Sequence, residues 1–103
     1  MKGMVINMKI SLDYTKAERQ AQSLERCASD MLRQSREVGF IINELRGVWQ
    51  GDTANAYIRK LQVLEHELRE NGNRCSTDAS NFRAKITKVR STDEKALRAI
   101  ENN

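Results

Sequence analysis

The sequence predicts an all-α fold: an antiparallel helical hairpin (helix–turn–helix) that dimerises into a four-helix bundle. Three observations carry that prediction. The chain has 103 residues, no Pro, 31% charged and 39% hydrophobic residues, a balance that suits long solvated helices better than a sheet. Apolar and small residues recur in steps of three and four through both halves, the pattern of helices packed side by side at a shallow angle. The stretch best suited to reversing the chain is Gly47-Val48-Trp49-Gln50-Gly51-Asp52-Thr53, close to the midpoint, with the lone Trp and two of the five Gly. A chain of this length is one domain at most. Residues 1–103 are therefore read as a single hairpin domain, with helix 1 about 13–48, a turn about 49–52 and helix 2 about 53–100.

For the first helix, Ser11 to Asp13 offer start chemistry, with Asp13 the best N-cap candidate. The seam then runs Ala17, Ala21, Leu24, Ala28, Met31, Ser35, Val38, Ile42, Leu45 and Trp49. Small residues dominate its first half and allow close helix approach. Cys27, Leu32 and Ile41 widen it. Gly39 inside the helix costs roughly 1 kcal/mol against Ala and predicts a slight bend at most.

At the turn, Gly51 has no Cβ to clash in the left-handed conformation that ends many helices. Asp52 follows as a candidate N-cap and suits the positive end of the next helix dipole. Asn55 gives only a weak form of the capping box. Trp49 has two readings, a lid on the open end of the hairpin core or an anchor for a second chain.

The second seam reads Ala54, Ile58, Leu61, Leu64, Leu68, Gly72, Cys75, Ala79, Phe82, Ile86, Val89, Ala96 and Ile100, with Asp93 interrupting between Val89 and Ala96. Asn71-Gly72-Asn73 has cap-like composition, but the seam keeps its phase through it, so one long helix with a soft spot is expected. Ser91-Thr92-Asp93-Glu94 reads as a fraying point or a fresh N-cap. Glu101-Asn102-Asn103 is expected to be loose.

A single seam between two helices encloses no true core, while ordering the backbone costs on the order of 1–2 kcal/mol per residue. Leu32, Ile41, Tyr57, Val63 and Leu97 lie off the seam, and burying each fully is worth roughly 1.5–3 kcal/mol. A second hairpin would bury them. The packing of hairpin and dimer is assigned to Leu24, Met31, Val38, Ile42 and Leu45 on the first helix. Tyr57, Ile58, Leu61, Leu68, Phe82 and Ile86 serve on the second.

Cys27 and Cys75 match no zinc or redox spacing. They are either small apolar core residues or a disulfide pair. A turn at Gln50-Gly51 sets them at nearly the same height on facing helices, and a bond forms if their Cα atoms come within ~7 Å.

Catalytic constellations are absent from the sequence. His66 is the only His, between Glu65 and Glu67, and reads as solvent-facing. Of the neighbours at metal-ligand spacing, Arg69 repels a cation and only Glu70 fits. There is no Gly-rich phosphate loop, and no Ser or Cys has a base at hand. The expectation is a protein that is not an enzyme and takes no cofactor or metal. Arg83 to Arg90 carries four cations and no acid. It is a solvated helix face or a contact for phosphates or an acidic partner. It has no aromatic platform for stacking bases, so no nucleic acid is expected. The net charge of +4 permits an acidic partner without demanding one. Met1 to Leu12 lacks the continuous apolar run of a secretory signal, and no stretch approaches the roughly 20 apolar residues that cross a bilayer.

Trp49-Gln50-Gly51, in a turn midway along a helical chain of this length and followed by Ala56-Tyr57, resembles the Trp-x-Gly (WXG) family. These are the small early-secreted-antigen-like substrates of bacterial type VII secretion. The resemblance implies a hairpin dimer, synthesised in the cytoplasm and secreted without a cleaved signal peptide through a membrane ATPase. It implies that Trp49 and Gly51 form a recognition turn, read together with a C-terminal export motif of the partner. That motif places a Tyr four residues before an acid, and no Tyr follows Tyr57 here. The basic balance is also unusual for the family. A member with both features is expected to borrow its export signal from a partner. That partner is a second copy, a related hairpin, or the N-terminal helical domain of a secreted toxin that it escorts. The other function class is a cytoplasmic coiled-coil adaptor or nucleic-acid-associated hairpin that uses the basic run.

Overall fold

The computed structural model describes residues 2–102, with side chains from residue 13 to residue 102. Two helices account for them: α1 (Lys2–Val48) and α2 (Asp52–Glu101). Trp49, Gln50 and Gly51 connect the two, and no strand occurs among the described residues. Helix α1 begins well before the expected start near residue 13, and Asp13 lies in its interior rather than at its cap. Nothing between Lys2 and Leu12 stops a helix: the stretch has no Pro and only Gly3, and its Met, Lys and Leu residues are good helix formers. Both helices are long for a globular protein, where three to four turns is usual.

The chain divides into two compact units. One is Glu25–Thr77, which contains the turn; the other combines the stretch up to Leu24 with the stretch from Asp78 onward.

In the turn unit the two helical arms lie side by side and antiparallel. Ser35 on α1 meets Glu65 on α2, Leu32 meets Gly72, and the ring of Trp49 meets that of Tyr57. Each step toward the start of α1 is thus matched by a step toward the end of α2, which defines a helical hairpin. The buried positions are Ala28, Ser35 and Ile42, spaced by seven on α1, with Ala54, Ile58 and Gly72 on α2. Met31, Val38, Leu45, Leu61 and Leu68 are half-buried beside them. Ser35 keeps its place in an apolar seam because its hydroxyl donates to the Glu65 carbonyl at 3.1 Å, so no buried donor is left unpaired.

Gly72 lies inside one long helix, as the unbroken phase of the seam predicts. Helix α2 runs through it without interruption. A Cβ added there would sit 2.9 Å from Leu32 Cγ and 3.2 Å from the Ala28 carbonyl oxygen. The missing side chain lets the two backbones approach closely, and that contact offsets the low helix propensity of Gly.

The unit of chain ends is held differently. Ala21 and Ala79 are buried, Phe82, Ile86 and Leu97 are half-buried, and Leu24 stays exposed above a shallow groove shared with Arg19, Gln20, Ser23 and Phe82. The main tie is polar. The Tyr14 hydroxyl donates to Asp93. The Arg90 guanidinium reaches Glu18 at 3.5 Å and Glu94 at 3.2 Å, and lies 5.6 Å from the centre of the Tyr14 ring, within cation–π range. Asp93, the polar interruption in the second seam, is therefore met by a polar partner from α1. Helix α2 neither stops nor restarts at Ser91–Glu94, and Thr92 donates back to the Lys88 carbonyl at 3.0 Å. Partial burial, then the hydrogen bond to Asp93 and its charge, push the Tyr14 phenol up to about 12, while Arg90 acts in the opposite direction. The neutral phenol is the form this site favours.

Candidate functional site

The tip of the turn unit is where apolar surface concentrates. Helix α1 ends at Val48, and the Trp49 N–H still donates to the Leu45 carbonyl at 2.8 Å. The backbone then reverses through Gly51 at φ +112°, a conformation that L side chains rarely adopt. The Gly51 carbonyl accepts the first bond of α2 from Asn55 at 2.9 Å. Gly51 thus occupies the cap position, and Asp52, expected there, is the first helical residue. Its carboxylate still lies in the first turn, where the helix dipole favours negative charge.

This geometry leaves Trp49 partly covered and in contact with Tyr57. The Trp49 and Tyr57 ring centroids lie 5.8 Å apart at a 53° tilt, a favourable aromatic pairing. Both rings remain open, Trp49 at 39% and Tyr57 at 50% exposure, next to Val48 at 85%. The surface continues along one flank. Ile41 directly precedes the buried Ile42, Tyr57 precedes the buried Ile58, and Leu64 precedes the half-buried Glu65. One residue back is a rotation of about 100° about a helix axis. Because the helices run in opposite directions, both rotations lead to the same side of the pair. Ile41, Val48, Tyr57 and Leu64, all exposed, therefore share one flank with Trp49 at its end. The opposite flank is a groove lined mainly by polar and charged groups, Arg36, Asn43, Arg46, Gln62 and Glu65, with Phe40 at its edge. The hairpin tip is amphipathic across its width.

Among the seam residues expected to pack, Ile42 and Ile58 are buried. Met31, Val38, Leu45, Leu61, Leu68, Phe82 and Ile86 are half-buried, and Leu24 and Tyr57 are exposed. No large side chain among the described residues is fully buried. Cys27 is exposed, so it is not a core residue; Cys75 is half-buried, and both are free thiols. His66 is exposed, and Arg69 donates to its Nδ1 at 3.3 Å. Within the basic run, Arg90 is engaged by Glu18, Glu94 and Tyr14. Tyr14 stands three residues before Ala17, in phase with the first seam, but a helix start expected near residue 13 hides that signal. Its other trace is the unexplained Asp93, a carboxylate at a seam position that needs a donor.

Among the described residues no group of three or more His, Cys, Asp or Glu is placed to hold a metal ion, and no helix is long and apolar enough to cross a membrane. No protein-family model, curated protein or solved structure matches the chain.

Proposed function

We propose that this chain is a non-enzymatic interaction protein, a Trp-x-Gly-type helical hairpin that works as half of a four-helix bundle. One observation carries the reading: Trp49, paired with Tyr57, keeps part of its surface open at the end of an exposed apolar flank. Trp49, Ile41, Val48, Tyr57 and Leu64 together leave on the order of 500 Å² of residue surface uncovered, the size of the largest patch on a typical monomer, which is often functional. A standard interface buries about 800 Å² per partner, somewhat over half of it apolar. The flank supplies more than half of the area a second hairpin would cover.

The function supported best is that of a type VII secretion substrate or partner. The chain is made in the bacterial cytoplasm and exported with a second copy, a related hairpin or the helical N-terminal domain of a larger toxin. Trp49 and Gly51 form the turn that the secretion ATPase reads, and the partner supplies the motif that no Tyr after Tyr57 provides. The experiment is an export assay in the protein's own cells, with and without the secretion ATPase. The expected result is chain in the culture medium with its N-terminus intact, dependent on the ATPase. Trp49→Ala keeps most of its helicity but loses export or partner capture. Retention of wild-type chain in the cytosol with no co-purifying hairpin would sink the reading in favour of a cytoplasmic adaptor.

A further inference from the structure

We infer that Cys27 and Cys75 form an intrachain redox clamp across the turn unit, one that closes by thiol–disulfide exchange and opens on reduction. The argument rests on register and backbone approach, and it stands independently of the export reading. The level of the two arms is fixed by Gly72, which lies against Leu32 and the Ala28 carbonyl. Moving three residues forward on α2 reaches Cys75, and in an antiparallel pair this descends α1 by a similar distance, to the level between Glu25 and Ser29 where Cys27 lies. Cys75 stands three residues from Gly72, and Cys27 one residue from Ala28, whose carbonyl oxygen a Cβ at Gly72 would meet at 3.2 Å. Close backbone approach is what a disulfide between facing helices requires, since its Cα atoms must come within ~7 Å.

The two side chains also share a flank. Cys27 directly precedes the buried Ala28. Cys75 follows the buried Gly72 by three residues, a net rotation of about 60° backward around α2. With the helices antiparallel, both turn toward the same side, the one that carries Ile41 and Leu64. Their exposures assign them different tasks. Cys27 is exposed and Cys75 half-buried, so Cys27 is the thiol an external disulfide meets first.

The chemistry balances with a small-molecule disulfide such as oxidised glutathione as the oxidant. The Cys27 thiol loses its proton, and its thiolate attacks one sulfur of the oxidant, expelling a glutathione thiolate and leaving a mixed disulfide on Cys27. The Cys75 thiolate then attacks the Cys27 sulfur, forming the Cys27–Cys75 bond and expelling the second glutathione thiolate. Two protein thiols are oxidised, one glutathione disulfide is reduced to two glutathione molecules, and the protons pass to the leaving thiolates. The clamp is open in a reducing cytosol and closes in an oxidising compartment.

The test incubates the full chain with oxidised glutathione, then alkylates remaining thiols and measures intact mass and linked peptides. The inference predicts that both thiols disappear together with no retained glutathione, that one peptide pair joins Cys27 to Cys75 within a single chain, and that the oxidised protein melts higher than the reduced one. Cys75→Ser stops at a stable mixed disulfide on Cys27, whereas Cys27→Ser reacts at least several-fold more slowly. Thiols that stay alkylatable, wild-type protein that ends as a mixed disulfide, or a cross-link between two chains would each overturn it.

Discussion

The two units of this hairpin are stitched by different chemistry. In the turn unit the helices are drawn together by absent or small side chains, Gly72 against Ala28 and Leu32, with Ser35 tied to the Glu65 carbonyl. In the unit of chain ends a polar cluster makes the tie, Tyr14 to Asp93 and Arg90 to Glu18. Nearer the turn the seam takes larger groups, Ile42 and Ile58, while Ile41, Val48, Trp49, Tyr57 and Leu64 remain exposed. The turn unit is thus both a tight hairpin and an unfinished surface. The polar tie adds direction but little stability, since ion pairs at about half exposure are worth roughly 0–1 kcal/mol.

Substitutions separate the two kinds of stitching, all compared at fixed protein concentration because association shifts apparent stability. The largest effect is expected at the few well-buried branched side chains of the turn unit. Ile42→Ala removes a side chain that is 3% exposed and should lower stability by about 3 kcal/mol in chemical denaturation. Next comes Gly72→Ala. Helix propensity alone favours it by up to about 1 kcal/mol, but the added methyl must displace Leu32 or the Ala28 backbone. Net destabilisation of about 1–2 kcal/mol is expected, and a gain in stability would show that the close approach is not what holds this unit. Gly51→Ala strains the φ of +112° and should cost about 1 kcal/mol. The smallest change is expected from Arg90→Gln in the unit of chain ends, about 0.5 kcal/mol, fading as salt is raised.

The ends unit also carries its own pH signature. The folded Tyr14 phenol holds its proton up to about 12 against an ordinary value of 10. A native state that binds the proton more tightly loses stability as pH rises. The contribution is therefore complete below pH 10 and is lost between about 10 and 12. In a Tyr57→Phe protein, phenolate absorbance should rise near 12 rather than 10 while the fold persists, and Tyr14→Phe should remove that step.

How much of this was legible in the sequence varies by residue. Two long helices and a reversal at the lone Trp could be read from the three-and-four spacing and from Gly51, because period and left-handed backbone are local properties. The same spacing places Gly72 on the seam of one long helix despite its cap-like neighbours Asn71 and Asn73. Its close contact with Leu32 and the Ala28 backbone is not legible, because it depends on the opposing helix. Asp93 looked like a fault in the seam for the same cause, its partner Tyr14 being 79 residues away. The sequence leaves the exposure of Trp49 open between two readings because it depends on where the backbone leaves α1. The early start of α1 was missed because Ser11 and Asp13 resemble a cap, yet a cap residue is used only where something stops the helix before it.

The central claim is that one hairpin does not cover its own apolar surface. Sedimentation equilibrium combined with circular dichroism, taken across a dilution series of the purified chain, tests it most directly. Either a fully helical species at twice the chain mass that loses helicity on dilution, or a poorly helical lone chain that becomes helical only with its partner, is the predicted outcome. A monomer that stays fully helical at micromolar concentration and below would contradict it.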